Sequence, residues 1–286
     1  IRNVTVGAYS GDSLTTGTRN VAIGTHTLGT ATTANLNVAI GQGAMESAAA
    51  GVAFEGAIAI GKDALTALNN TSANGTVAIG YQAGTAITSG GTNTLIGYQS
   101  GLALTTGGNN VALGYDSLKA AVDACNSNVA IGVQAMTAVD RGSHGSSTVN
   151  GNVALGYNAL AGSDFSSLER QLVGNIAIGK NALDATVANS QTGTIAIGHE
   201  ALTTLTSGAN NVAIGYEALK VHTTGHSNLA IGYGAMNDTD AGSSSNDSDH
   251  NVFIGLDSGG GTWANAKSEH NVAVGNSAGK SLTVGI

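Results

Sequence analysis

The tightest constraint on this chain is one phrase repeated along its whole length. Residues 211–236 read NVAIGYEALKVHTTGHSNLAIGYGAM, so that NVAIGYEAL returns seventeen residues later as NLAIGYGAM. Aligned on its glycine, the phrase recurs at Gly7, Gly24, Gly41, Gly61, Gly80, Gly97, Gly114, Gly132, Gly156, Gly179, Gly198, Gly215, Gly232, Gly255 and Gly275, with a shortened sixteenth copy, SLTVG, ending on Gly285. Up to Gly275 the spacing is most often 17, stretches to 24 and never falls below 17. One turn of structure therefore takes 17 residues, and longer copies carry insertions.

Residues sort by position within the phrase. Asn stands four before the glycine in twelve of the sixteen copies, as in Asn20, Asn110 and Asn211, and Ala stands two before it in twelve. The residue just before the glycine is always Ile, Val or Leu, as in Ile23, Ile79 and Ile214. Ala, Ser or Thr follows at three after, and Leu, Met or Gly at four after; all three Met occupy that last slot. A wrong register would not sort residues this way.

VAI is a short β-branched run bounded by Asn and Gly, which reads as a strand. Side chains alternate faces, so Val and Ile share one face while Asn, Ala and Gly share the other. Neither face is polar, the pattern of strands buried on both sides in parallel sheets. A 17-residue period then predicts an all-β solenoid of about 16 coils of 17–24 residues, each adding one strand to a parallel sheet. A second, shorter strand is expected over the Ala-Leu positions (Ala64-Leu65, Ala201-Leu202, Ala218-Leu219). The Thr-, Gly- and Asn-rich fillers read as turns. The glycines (Gly24, Gly80, Gly114, Gly215) are expected to supply a positive φ or a close approach of another chain.

So thin a coil can bury one apolar face inside itself but not two. The other face requires a partner, and the chain is expected to be an obligate oligomer. The expected arrangement packs Val and Ile on Leu and Met within the coil and turns Ala toward the oligomer axis. Leu95 and Phe253, which stand in the Ala slot, are expected to mark local widening.

Composition narrows the classes. Charged residues make up 10% of the chain, against about 25% in ordinary globular domains, so little of each repeat is free surface. Forty-three Gly without a three-residue period exclude collagen, and the absence of Pro suits a backbone whose donors are needed for ladders. A net charge of −8 disfavours nucleic acid and anionic membrane as partners. One cysteine, Cys125, excludes an intrachain disulfide. No apolar run reaches the roughly 20 residues of a membrane span. The chain opens without Met and ends in mid-repeat, which reads as a fragment of something longer.

The phrase NVAIGxxAL resembles the head repeats of trimeric autotransporter adhesins of the YadA-like type, and phrases such as AIGYQAG (78–84) resemble phage tail-fibre repeats. The resemblance covers essentially the whole chain. It implies a left-handed parallel β-roll, three chains about a common axis, and an extracellular fibrous role on a virion tail or cell surface. Those repeats are usually shorter than 17 residues, and the family brings no catalytic residues or cofactors.

The long fillers Thr137–Gly151, Ala161–Gly174 and Asn237–His250 are read as exposed loops; decoration that covers a groove is the simpler account of Ala161–Gly174, and a contact surface for a host receptor or glycan is the alternative. Their receptor-contact candidates are Asp140, Arg141, His144, Phe165, Leu168 and Arg170; the spacing of Phe165, Leu168 and Leu172 suggests a turn or two of helix. Asp238, Asp240, Asp247 and Asp249 form a weak Ca²⁺ candidate, since their spacing matches no EF-hand; a solvated acidic loop is the simpler account. GNSAGKS (275–281) has three residues between its glycines where a phosphate loop needs four. His222 with His226, and His250 with His270, read as solvated ladder neighbours before metal ligands. Glu200 and Glu217 stack and suggest mild repulsion before a glycosidase pair. Tyr81, Tyr98 and Tyr115 are expected to stack on each other before they stack on sugars.

The function expected from all this is a structural and adhesive segment of an extracellular trimeric fibre: a phage tail fibre contacting a host receptor, glycan or protein, or alternatively a cell-surface adhesin head. A polysaccharide-cleaving solenoid and ice binding through Thr arrays are weaker expectations.

Overall fold

The computed structural model describes residues 2–121, 123, 125–139, 148–162, 171–185, 190–237, 248–261 and 269–280. The chain is an all-β parallel β-solenoid that divides into two units, 1–138 and 139–286.

In the first unit the strands are β1 (Val4–Val6), β2 (Val21–Ile23), β3 (Val38–Ile40), β4 (Ile58–Ile60), β5 (Val77–Ile79), β6 (Thr94–Ile96), β7 (Val111–Leu113), β8 (Cys125–Asn126) and β9 (Val129–Ile131). In the second they are β10 (Thr148–Asn150), β11 (Val153–Leu155), β12 (Gln171–Val173), β13 (Ile176–Ile178), β14 (Gln191–Thr192), β15 (Ile195–Ile197), β16 (Val212–Ile214), β17 (Leu229–Ile231), β18 (Val252–Ile254) and β19 (Val272–Val274). Every copy of the phrase from Gly7 to Gly275 thus makes one strand. The copy at Gly285 lies outside the described residues. Neighbours pair in parallel and in repeat register: Val21 with Val38, Ala22 with Ala39, Ile23 with Ile40, and likewise Val212 with Leu229 and Ala213 with Ala230.

The alternation expected from the sequence holds, but its sense is reversed. Ala22, Ala39, Ala78, Ala112, Ala177 and Ala213 have no exposed surface, whereas the Val and Ile of the same strands are half-buried or exposed. The Asn-Ala-Gly face therefore looks into the coil, and Val and Ile look out. Width explains the reversal. The interior already holds Leu or Met from the slot four after the glycine, such as Leu28, Met45, Leu118 and Leu219, all fully buried. Only a methyl group fits opposite them.

The second correction concerns the Ala-Leu corner, which is turn and not strand. The residues two and four after the glycine both take left-handed φ, as in Asp116 (55°) and Leu118 (51°), or Glu217 (55°) and Leu219 (51°). Alternating right- and left-handed residues curl the chain enough to close a thin coil. A non-glycine residue pays roughly 1–2 kcal/mol for that conformation, and full burial of the Leu side chain returns about 1.5–3 kcal/mol. The corner still bonds coil to coil through its backbone: the Leu118 amide donates to Ala135 O at 3.0 Å and the Leu202 amide to Ala218 O at 3.0 Å.

A second ladder does exist, shortly before the Asn slot and only in some coils. In the second unit β12 pairs with β10 and with β14 in parallel. Val149 and Leu172 on these strands are buried core residues, so Leu172 belongs to a strand and not to the helical turn its spacing suggested.

The large residues in the Ala slot show how the interior is filled. Leu95 and Phe253 are fully buried, and in the same coil the slot four after the glycine is Gly. A Cβ on Gly101 would lie 2.9 Å from Leu95 Cδ1, and one on Gly259 would lie 2.5 Å from Phe253 Cδ1. Large and small residues trade places across the lumen, as close packing demands. The trade predicts a coupled pair. Leu95→Ala leaves a cavity and is expected to cost about 2–4 kcal/mol; Gly101→Leu overfills the coil by a similar amount. The double substitution restores the common pattern and should recover at least 1 kcal/mol of the summed loss, read from urea unfolding of the four proteins. Simple additivity would contradict it.

Candidate interaction surface

Three ladders run across the coils, and each follows from the repeat. The first is internal. The buried Asn side chains stack so that each Oδ1 accepts the next Asn backbone amide: Asn20 Oδ1 from Asn37 at 3.0 Å, Asn110 Oδ1 from Asn128 at 3.0 Å, Asn211 Oδ1 from Asn228 at 3.0 Å. Each Nδ2 donates to a carbonyl of the following coil, Asn20 to Ala34 at 2.6 Å and Asn211 to Gly225 at 2.8 Å. One amide thus satisfies a buried donor and a buried acceptor in the turns that carry it, while Ala57, Thr76 and Thr194 fill the slot in others. Sequence reading placed Asn beside Ala but did not foresee this coil-closing role; burial of a conformationally demanding polar residue at a fixed repeat position was the available signal.

The second ladder is the outward row of β-branched side chains. The two outward positions of the fifteen repeat strands carry Val, Ile or Leu, with Thr94 as the one exception, and no charge. Ile23, Ile96 and Leu155 are each more than a third exposed, and Ile79 and Ile214 are half-buried on the same faces. Lone exposed apolar residues are ordinary, but an uncharged row continued from strand to strand is not.

The third ladder follows the glycine. Tyr81, Tyr98 and Tyr115 stack with centroids 5.1 Å apart, and His199, Tyr216 and Tyr233 do the same. Within each stack the facing ring surfaces cover one another, and Lys62 Nζ lies over the Tyr81 ring at 5.5 Å. Inside the stacks, sugars would meet ring edges rather than open faces.

Glu200 and Glu217 do not simply repel: Lys220 Nζ bridges them at 2.6 Å and 2.9 Å. The hydrogen bond from Lys220 holds the Glu200 carboxyl below the usual range, and the same two bonds raise Lys220 above the ordinary lysine value. His222 is no solvated neighbour but a fully buried core residue. His226 Nδ1 accepts the Ala209 amide at 3.0 Å. His250 and His270 stack at 5.2 Å. Asp249 accepts the His226 amide at 2.6 Å and so ties one loop to the next. Lys280 of GNSAGKS pairs with Asp257 at 2.9 Å, and Gly275 and Gly279 keep their repeat positions. Asp140, Arg141, His144, Phe165, Leu168, Arg170, Asp238, Asp240 and Asp247 lie outside the described residues. Among the described residues there is no group of three potential metal ligands, no cavity, and no helix long and apolar enough to cross a membrane. No protein-family model and no curated protein matches this chain.

Proposed function

We propose that this chain is a structural and adhesive segment of an extracellular trimeric fibre of the phage tail-fibre kind, with its coils wound left-handed and its filler loops contacting a receptor on a host surface. The observation that carries the reading is the uncharged Val/Ile row left outside every coil. With two outward side chains per strand, all aliphatic but Thr94, over eight strands in the first unit, the row offers apolar surface on the order of the 800 Å² per partner that a stable interface buries. A second and third copy of the same row are the natural cover, because the repeat presents the same spacing to each of them. The reversed sense of the strand faces strengthens this argument: the bulky face meets the partner, and the small Ala face is spent inside. A trimeric adhesin head would use the same face and differ only in what adjoins it.

Light scattering of the purified chain tests the proposal. A mass of three times 28.0 kDa is expected. Ile79→Lys with Ile214→Lys places one charge in the row of each unit and should drive the mass toward that of one chain. A monomeric wild-type chain at micromolar concentration overturns the proposal.

A further inference from the structure

The tyrosine ladders have a chemical consequence separate from binding. Tyr81, Tyr98 and Tyr115 are near-parallel, with interplanar angles of 14° and 8°, and Tyr216 and Tyr233 are parallel within 5°. The repeat places the same atoms of each ring at the same position in successive turns. The carbons ortho to each hydroxyl therefore face their counterparts across a single ring-to-ring gap. The rings are also open to solvent: Tyr81 is 37% exposed, Tyr98 42%, Tyr115 48%, Tyr216 42% and Tyr233 54%. Side chains this exposed reorient within nanoseconds, which lets neighbouring ortho carbons close to bonding distance.

We propose that these ladders are sites of oxidative tyrosine–tyrosine coupling within one chain, joining successive turns covalently. The co-reactant is a one-electron oxidant, such as a peroxidase with hydrogen peroxide. It removes one electron from each of two phenols, and each phenol gives its hydroxyl proton to water. The two phenoxyl radicals carry spin on their ortho carbons and combine there, forming one carbon–carbon bond. The ortho hydrogens then move to the oxygens as both rings regain aromaticity. The net change is the loss of two electrons and two protons. The product links residues 17 apart in sequence, across turns otherwise joined by hydrogen bonds and packing, and a closed loop of this kind lowers the entropy of the unfolded chain. The coupled rings belong to one chain, so the inference stands apart from the fibre reading.

Treatment of the whole chain with peroxidase and limiting hydrogen peroxide tests it, read by dityrosine fluorescence and by mass spectrometry of the linked peptides. The expected links are Tyr81–Tyr98, Tyr98–Tyr115 and Tyr216–Tyr233, within a chain of unchanged size on a denaturing gel. Tyr9 and Tyr157 are internal controls. They are 62% and 46% exposed, yet Tyr9 stacks on His26 and the next turn offers Lys180 to Tyr157, so neither should couple. Tyr98→Phe keeps the stacked ring but removes the shared phenol. It should lower the fluorescence by roughly half, since Tyr98 joins one neighbour at a time and the distant Tyr216–Tyr233 pair acts independently. Tyr115→Phe should leave the yield nearly unchanged by leaving Tyr81–Tyr98 intact. Coupling chiefly between chains, coupling at Tyr9 or Tyr157, no coupling at all, or a yield indifferent to Tyr98→Phe overturns the proposal.

Discussion

Gly41→Ala is expected to unfold much of the first unit, while Gly56→Ala, fifteen residues away, is expected to cost little. Gly41 has φ = 124°, a region that residues with a Cβ essentially do not occupy and that costs about 1–3 kcal/mol to enforce. A Cβ there would also lie 2.6 Å from the carbonyl oxygen and 2.7 Å from the carbonyl carbon of Gly61 in the next coil. Those are backbone atoms and cannot swing aside. Relief requires the two coils to separate, which breaks the bond from the Gly61 amide to Ile40 O at 2.7 Å and disturbs the ladder between them. The combined loss is on the order of 3 kcal/mol or more. Stability in a solenoid is transmitted through nearest-neighbour interfaces, so a broken interface uncouples what lies either side of it. Gly56 also has positive φ, 70°, but nothing lies within 4 Å of its Cβ direction. Its substitution should cost about 1 kcal/mol, the ordinary left-handed penalty. Thermal and urea unfolding of the two variants measures the contrast; equal effects would show that stacking of the glycines does not set the coil spacing.

Substitutions in the Asn ladder should rank next. Asn228 is buried; its Nδ2 donates to Ser248 O at 2.7 Å, and its Oδ1 accepts the Asn251 amide at 3.1 Å. Asn228→Ala removes both at once and leaves a buried carbonyl and a buried amide short of partners, each worth about 1–3 kcal/mol. A loss of about 3 kcal/mol is expected. Asn228→Asp should be worse at neutral pH, because a buried carboxylate would face the Ser248 carbonyl and the Asn211 Oδ1, both acceptors. Desolvation and these acceptors favour the protonated acid, so the folded-state pKa of that Asp would stand above its unfolded value. Its penalty is then full at pH above the folded pKa and shrinks as pH falls toward the unfolded one. Acidification from pH 7 to pH 5 should narrow the gap between the Asp variant and wild type while leaving the Ala variant's gap unchanged. A pH-independent gap for the Asp variant would mean that water reaches the ladder.

Much of this molecule is legible one repeat at a time. The spacing of the glycines, the β-branched pair flanking Ala, and the Asn that precedes them specify strand, register and parallel stacking, because in a repeat every local preference is restated at the same position. The places of Gly275 and Gly279 in the repeat were legible for the same reason. The corner was misread because Leu or Met in a left-handed turn runs against local preference, and only burial against the opposite strand makes that conformation worth adopting. His222 was misread for a similar reason, since a histidine in a Thr-rich filler looks solvated until the coil closes over it. The Glu200–Lys220–Glu217 bridge needed the fold to show which residues meet across turns.

The sequence alone determined that two faces of each strand are apolar, that they alternate, and that 17 residues close a turn. It left open which face is inside, because alternation is symmetric under exchange of the faces. Only the tertiary structure decided that, through volume: a lumen already holding one Leu or Met per turn has room for the Ala methyl and not for Val and Ile.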